Sequence, residues 1–483
     1  MAAKDFIVAI ELGSSKMTGI AGKKNLDGSI NVLAVVKEDS SSFIHKGVVY
    51  NSDKTAVCLT NIINKLKAQL SADITQVYVG IGGQSIRSVR NVITKNMAVE
   101  TKVTQDMVIE LMDANRNMTY PDQEILDAAV QEYKVDAQYQ IDPVGIQCKT
   151  LEGNFLNILC RRSFYNSLNK CFEAANIYIA EMYLAPLALA DSVLTEAEKR
   201  SGCVLVDLGA STTTVSVYSK NILRHLSVLP LGGNNITKDI ASLQMEESEA
   251  EKMKLKYGCA YTDNADIDNS LMLPIDGERK VESRKFIEIV ECRLEEIIEN
   301  VWYQVPSDYY DKLLGGIILT GGGANMKNID KAFVIHTHID KVRIAKFVTQ
   351  PIVSTNADIN AKNGMMNTIL GLLAKGDVSC AGGEIDPNGG LFDSHKSAAP
   401  VAEGRTKARQ PNETPAGVVR TEAEKLQAEE ELRRQREEEE RRQREKEEEE
   451  ARRAAEERRR NSFWNKAVRN FKKLGENMLK ADE

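Results

Sequence analysis

The sequence predicts an α/β chain of two similar lobes with an anion-binding cleft between them, followed by a charged tail. Three observations carry this. Over residues 1–379, short β-rich runs alternate with amphipathic helical windows, the pattern of strands covered by helices. A motif of apolar strand, acidic residue, glycine and small hydroxyl residues occurs twice, near residue 10 and near residue 207. Past Cys380 the apolar content collapses.

The chain has 483 residues, with 70 Asp+Glu, 63 Lys+Arg and 42% hydrophobic residues. At ~100–200 residues per domain this gives two to four units. It excludes a disulfide-stapled miniprotein and a wholly disordered chain. The net charge of −7 argues against a bulk nucleic-acid binder. The first apolar run, Phe6–Ile10, is too short for a signal peptide. No run of ~18 uncharged apolar residues follows, so no helix is expected to cross a membrane. Eight cysteines lie scattered without a C-x-x-C pair, which fits a reducing compartment with most thiols buried.

Expected strands are Phe6–Ile10, Val77–Ile81, Gly202–Asp207 and Gly316–Leu319; expected helices include Thr55–Leu70, Ile236–Leu243 and Val281–Val301. The repeated motif sits on these. Glu11-Leu12-Gly13-Ser14-Ser15-Lys16 in the first half matches Asp207-Leu208-Gly209-Ala210-Ser211-Thr212 in the second. Each reads as a β-hairpin with a phosphate-sized turn: the glycine lets backbone N–H groups approach an anion, and the hydroxyls add donors. Glu11 and Asp207, at the strand ends, can hold Mg²⁺ through water. A single D-x-G turn is commonplace; two in equivalent places point to a nucleotide between paired domains. Gly321-Gly322-Gly323, after the strand at 316, could lie flat against a base or ribose. Leu231-Gly232-Gly233-Asn234 opens a helix suited to an anion.

Together these sites resemble the actin-like ATPase superfamily, and within it the FtsA family of bacterial division proteins. Glu11–Lys16, Glu132-Tyr133-Lys134-Val135-Asp136 leading to Pro143-Val144-Gly145, Arg224-His225 before Pro230, Thr237–Ala241, Glu249–Lys254 before Tyr257-Gly258, and Leu319–Gly322 carry the likeness, in order, over residues 5 to about 375. The resemblance implies a first lobe of 1–84 and 162–195 (subdomain 1A), interrupted by an inserted subdomain 1C at 85–161. It implies a second lobe of 196–230 and 301–379 (2A) carrying a smaller part at 231–300 (2B). It also implies ATP and Mg²⁺ in the cleft. Carried over by position, Gly13, Ser14, Ser15, Lys16, Gly209, Ser211, Thr212 and Gly233 would hold phosphate. Glu251 and Lys254 would approach ribose and base beside Gly321, Gly322 and Gly323, and Glu11 and Asp207 would face the metal.

Two departures bear on chemistry. The second turn has Ala210-Ser211 where the superfamily commonly has glycines. Ala185 precedes Pro186, where chaperone and MreB relatives place a Glu that could orient the attacking water. Alanine has no proton acceptor. Glu181, one turn earlier, could substitute, though nothing local in the sequence supports it. ATP is expected to bind and hydrolysis to be slow or absent, with no catalytic residue assigned.

Residues 380–420 read as a flexible linker of Gly, Pro, Ala, Ser and Thr, roughly 35–40 Å on average. Residues 421–460 hold 16 Glu and 13 Arg/Lys. Pairs such as Glu429–Arg433, Glu437–Arg441 and Glu448–Arg452 at i,i+4 tile a lone spacer helix about 60 Å long; the alternative is a disordered polyampholyte of the same role. In 461–483, Phe463, Trp464, Ala467, Val468, Phe471, Leu474, Met478 and Leu479 form one stripe, with Lys466, Arg469, Lys472 and Lys473 elsewhere on the wheel. A bulky apolar face with a basic rim fits a helix lying in an anionic bilayer surface.

The resemblance further implies self-assembly into an actin-like protofilament on the cytoplasmic face of the inner membrane at the division septum. It implies a tubulin-like partner, FtsZ, whose C-terminal peptide docks on the small part of the second lobe, and contacts with other division proteins. The helix near 281–301, with Arg284, Lys285 and Arg293, is the matching surface; a solvated helix face is the competing account. Another actin-superfamily protein (a pilus-assembly or cell-shape homologue, or a small-molecule kinase) is the alternative, disfavoured by the insertion and the spacer. His336 and His338 form an H-x-H without an evident third ligand, which favours a structural or surface role over metal binding.

Overall fold

The computed structural model describes residues 5–382, 417–419, 433, 434 and 441. The charged spacer, save three helical arginines (Arg433, Arg434 and Arg441), and the whole of 461–483 lie outside the described residues.

The described residues 5–382 and 417–419 form one compact unit built on two sheets. The first has seven strands in the order Ile352–Val353, Ile30–Asp39, Lys16–Lys24, Ile7–Leu12, Val77–Ile81, Ile179–Leu184 and Val418–Val419. Its central strands run apolar on both faces, so both must be covered. Val77–Ile81 is buried throughout. One face takes the helix Ser52–Leu70, which buries Leu59, Ile62, Ile63 and Leu66 at helical spacing. Asn51 caps that helix by accepting from the Lys54 N–H at 3.0 Å. Gly19 permits the close approach: a Cβ there would lie 2.4 Å from Ile62. The other face takes Ala185–Val193 and Asn367–Lys375.

The second sheet has nine strands in the order Val342–Ile344, Gly316–Thr320, Cys203–Leu208, Thr213–Ser219, Ile222–Leu229, Arg87–Lys102, Gln147–Arg161, Gln123–Val135 and Gln138–Gln140. The first five belong to the second lobe. The last four belong to the inserted segment, which closes its own small core of Val103, Leu111, Tyr133, Val135, Cys148, Leu151 and Phe155 under the helix Gln105–Arg116. The seam between the two halves of this sheet is one residue pair, Arg87 opposite Ser227. Around it, the Ser88 hydroxyl donates to the Leu226 carbonyl at 3.1 Å, and the Gln131 amide donates to the Leu223 carbonyl at 2.9 Å. Buried Arg224 donates to Gln131 at 3.2 Å. The insert, covalently part of the first lobe, therefore also touches the second.

The helix expected at 281–301 spans Ser283–Gln304. Its first two expected residues instead join Lys280–Glu282, a short strand paired with Met272–Pro274. The composition-based linker of 380–420 needs correcting at both described ends. Cys380 is fully buried and its N–H donates to the Phe6 carbonyl at 2.8 Å. Val418 and Val419 are 5% and 1% exposed and add a strand to the first sheet. Composition registers average polarity and misses three-residue anchors of this kind. Cys58, Cys148, Cys160, Cys171, Cys203 and Cys380 are buried free thiols, as small hydrophobes would be. Among the described residues no helix is long and apolar enough to cross a membrane.

Candidate functional site

The two motif copies fold into hairpins of identical register. In the first, Glu11 pairs with Thr18 and Leu12 with Met17; in the second, Asp207 pairs with Thr214 and Leu208 with Thr213. Gly13–Lys16 and Gly209–Thr212 are thus left as turns of equal length. Both glycines are obligatory by space: a Cβ at Gly13 would lie 2.5 Å from the Lys16 carbonyl oxygen, and one at Gly209 would lie 2.7 Å from that of Thr212.

The first turn is braced from a neighbouring loop. The Ser40 hydroxyl donates to the Gly13 carbonyl at 2.6 Å. The Gly47 N–H donates to the Ser14 hydroxyl at 2.7 Å. Ser15 is partly exposed and Lys16 exposed. The second turn is braced by the helix Gly233–Ala241. Gly233 N–H donates to the Gly209 carbonyl at 3.0 Å, and Asn234 N–H to that of Ala210 at 2.7 Å. The Asn234 side-chain amide also reaches the Ser211 hydroxyl at 3.2 Å. Gly232 has no room for a Cβ, which would sit 2.7 Å from the Gly209 carbonyl oxygen.

The third segment closes on the same turn. Gly321 has φ +85°, and a Cβ there would lie 2.3 Å from the Asp207 carboxylate; one on Gly323 would lie 2.9 Å from Leu208. Gly322 meets only Met365, at 4.0 Å. The triple glycine thus brings bare backbone up to the strand end that carries Asp207.

Glu251 and Lys254, on the helix Glu247–Tyr257, are drawn into a polar cluster. They form an ion pair at 2.6 Å. Lys254 donates to the Gly233 carbonyl at 3.0 Å and to the Thr237 hydroxyl at 2.8 Å, and Thr237 donates to Glu251 at 2.5 Å. Lys254 therefore fixes the start of the helix that opens at Gly233.

Glu11 and Asp207 are the electrostatic centre. Each keeps part of its surface open while surrounding protein strips it of water. Burial, then the negative charge of Asp207, push Glu11 up to about 8, against the pull of Lys37. Burial alone pushes Asp207 up to about 6. Two desolvated carboxylates, one of them raised further by the other's charge, are a donor set a divalent cation would relieve, so these residues fit Mg²⁺.

Ala185 begins the helix after the strand Ile179–Leu184 and is buried. Glu181 pairs in the sheet with Tyr78, which lies opposite Ala9. That is two residues short of the level of Glu11, and the Glu181 carboxylate accepts from the Tyr183 hydroxyl at 2.6 Å. On the helix Ser283–Gln304, Arg293 forms ion pairs with Asp239 and Glu296. Arg284 donates to Asn269 at 2.6 Å and pairs with Glu288 at 3.4 Å. Lys285 is exposed. His336 gains the partners that spacing did not reveal. Its ligand atom and those of Glu295 and Glu299 lie within 4.8 Å of one another, on two packed helices rather than on the cleft turns.

Sequence reasoning missed Ser40 and Gly47. Both act on the first turn from a distant loop, and no motif marks them.

Residues 204–357 match the family model described as Cell division protein FtsA, and residues 83–159 match the SHS2 domain inserted in FTSA. The chain is 33% identical to the Cell division protein FtsA of Porphyromonas gingivalis over 326 residues, covering 66% of this chain and 68% of that one. It is 32% identical to that of Neisseria meningitidis serogroup B, covering 67% and 80%, and 30% identical to that of Bacillus subtilis, covering 67% and 75%. Among solved structures, a chain of the PilM-PilN type IV pilus biogenesis complex shares the fold at TM-score 0.53 and 14% identity, over 76% of this chain and 97% of that one. The fold is the α/β actin-like one with an inserted subdomain, and the chain belongs to the FtsA family of cell division proteins.

Proposed function

We propose that this cell division protein binds Mg²⁺·ATP in the cleft between its two hairpins and assembles into filaments on the cytoplasmic face of the membrane. There it ties FtsZ filaments to the bilayer and gathers later division proteins. The observation that carries the nucleotide part is the identical register of two glycine turns with Glu11 and Asp207 at matching strand ends. Turn N–H groups and the Ser14, Ser15, Ser211 and Thr212 hydroxyls would donate to phosphate, and Lys16 would add charge. The carboxylates would hold the metal's waters, and the metal supplies charge neutralisation when bound. Hydrolysis is slow on this reading, since Ala185 offers no acceptor and Glu181 is occupied by Tyr183.

The membrane part rests on the apolar stripe and basic rim of 461–483, which many copies in one polymer would strengthen through avidity. The partner part rests on the family and on the basic residues of Ser283–Gln304. Arg293 and Arg284 are engaged by acidic or polar neighbours, so an acidic peptide would displace those contacts rather than meet bare cations.

The test is co-sedimentation of the ATP-loaded full chain with anionic liposomes, with and without the FtsZ tail peptide. Pelleting that requires 461–483 and recruits the peptide supports the reading. Undiminished pelleting without that segment overturns the membrane part, and rapid ATP turnover by the purified chain overturns the slow-hydrolysis part.

A further inference from the structure

We propose that Gly417–Val419 is a clasp: a strand from the chain's own tail, seated on the edge of the first lobe's sheet, that sets where everything beyond Arg420 leaves the body. The strand Ile179–Leu184 would otherwise end that sheet, leaving a row of unpaired backbone groups. Val418 pairs antiparallel with Tyr183, and Val419 with Met182. The Leu184 N–H donates to the Gly417 carbonyl at 2.8 Å.

The seat is specific to its occupant. Gly417 N–H donates to the Asp127 carboxylate at 2.7 Å, and Asp127 belongs to the inserted subdomain. Gly417 has φ +89°, and a Cβ there would press on Leu187 at 3.2 Å. The site therefore asks for glycine followed by extended apolar residues. Residues 417–419 supply the only Val-Val pair in the polar stretch 383–420. Sheet edge, insert and helix Ala185–Val193 each contribute one wall.

The chain is held at a second place before this one. Gly382 N–H donates to the Asp73 carbonyl at 2.8 Å, and Ala381 bridges to Ile74. Residues 383–416 thus connect two anchored points and add no reach to the tail while the clasp is closed. Read as the coil their composition predicts, they would add roughly 30 Å on average once it opens. Two residue pairs, one further backbone bond and one side-chain bond make a small contact, so the tether has two lengths: short with the clasp seated, long with it released. The consequence for distance from a bilayer rests on the membrane reading above; the clasp itself does not.

The test is hydrogen exchange on the full chain and on Gly417→Pro and Val418→Asp variants. Proline removes the N–H that Asp127 accepts and cannot adopt positive φ; aspartate puts a charge into a buried seat. The expected result is that the peptide spanning 181–186 exchanges on the order of tenfold faster in both variants, while the peptide spanning 203–208 is unchanged. Equal exchange of 181–186 in all three chains overturns the clasp. On anionic vesicles, energy transfer from a dye on exposed Cys292 to a lipid dye should fall in Gly417→Pro; unchanged transfer overturns the two-length tether. If none of the chains binds vesicles, the membrane reading fails and exchange alone still decides the clasp.

Discussion

Glu11 and Asp207 occupy the same register position in two equivalent hairpins, and the charge on Asp207 raises the pKa of Glu11. An acid whose folded pKa exceeds its unfolded one holds its proton more tightly in the folded chain. The metal-free fold should therefore lose stability as pH rises, beginning in the ordinary carboxylate range and continuing through about 6 for Asp207 and about 8 for Glu11. Thermal unfolding from pH 5 to 9 checks the sign. Glu11→Gln should flatten the slope above pH 6, and Mg²⁺ with ATP should reverse it by favouring both ionised forms.

Gly321 and Gly28 separate clash from backbone strain. Both have positive φ, but a Cβ on Gly28 meets nothing within 4 Å while one on Gly321 meets Asp207 at 2.3 Å. Gly28→Ala should cost about 1–2 kcal/mol and leave the cleft intact. Gly321→Ala should cost more in denaturant unfolding and abolish nucleotide binding, because Asp207 must move.

Lys254 is 10% exposed and holds both the Gly233 carbonyl and Thr237. Lys254→Met should lower stability by about 2 kcal/mol, because a charge-assisted network loses its donor. It should weaken nucleotide binding through the displaced helix start. A normal nucleotide affinity in a destabilised Lys254→Met chain would confine the residue to a structural role.

Arg293 and Asp239 give opposite expectations for one surface. If an acidic FtsZ peptide competes with Asp239 for Arg293, Arg293→Glu should weaken peptide binding several-fold and Asp239→Asn should strengthen it. Fluorescence anisotropy of the labelled peptide reads both; changes in the same direction would mean that the pair acts only by bracing the fold.

The two equivalent turns were legible because their glycines and acids recur at one spacing in both halves. Short apolar runs located the four expected strands to within two residues. The bracing groups were not legible, since Ser40 and Gly47 reach the first turn from a loop whose sequence resembles any polar connection. The family resemblance implies that Glu251 and Lys254 approach ribose and base; the fold uses them first on each other and on Thr237. The docked strand at 417–419 was hidden for a different reason. Two valines in a polar stretch carry too little hydrophobic signal to stand out, and their burial depends on a sheet edge more than two hundred residues earlier.

Calorimetric titration of ATP into the full chain decides whether the paired hairpins hold Mg²⁺·ATP. The predicted result is stoichiometric binding that weakens on the order of tenfold or more, about 1.4 kcal/mol, when Mg²⁺ is removed or Asp207 becomes Ala. Equal affinity in wild type and Asp207→Ala, or no heat of binding in a folded wild-type chain, would contradict it.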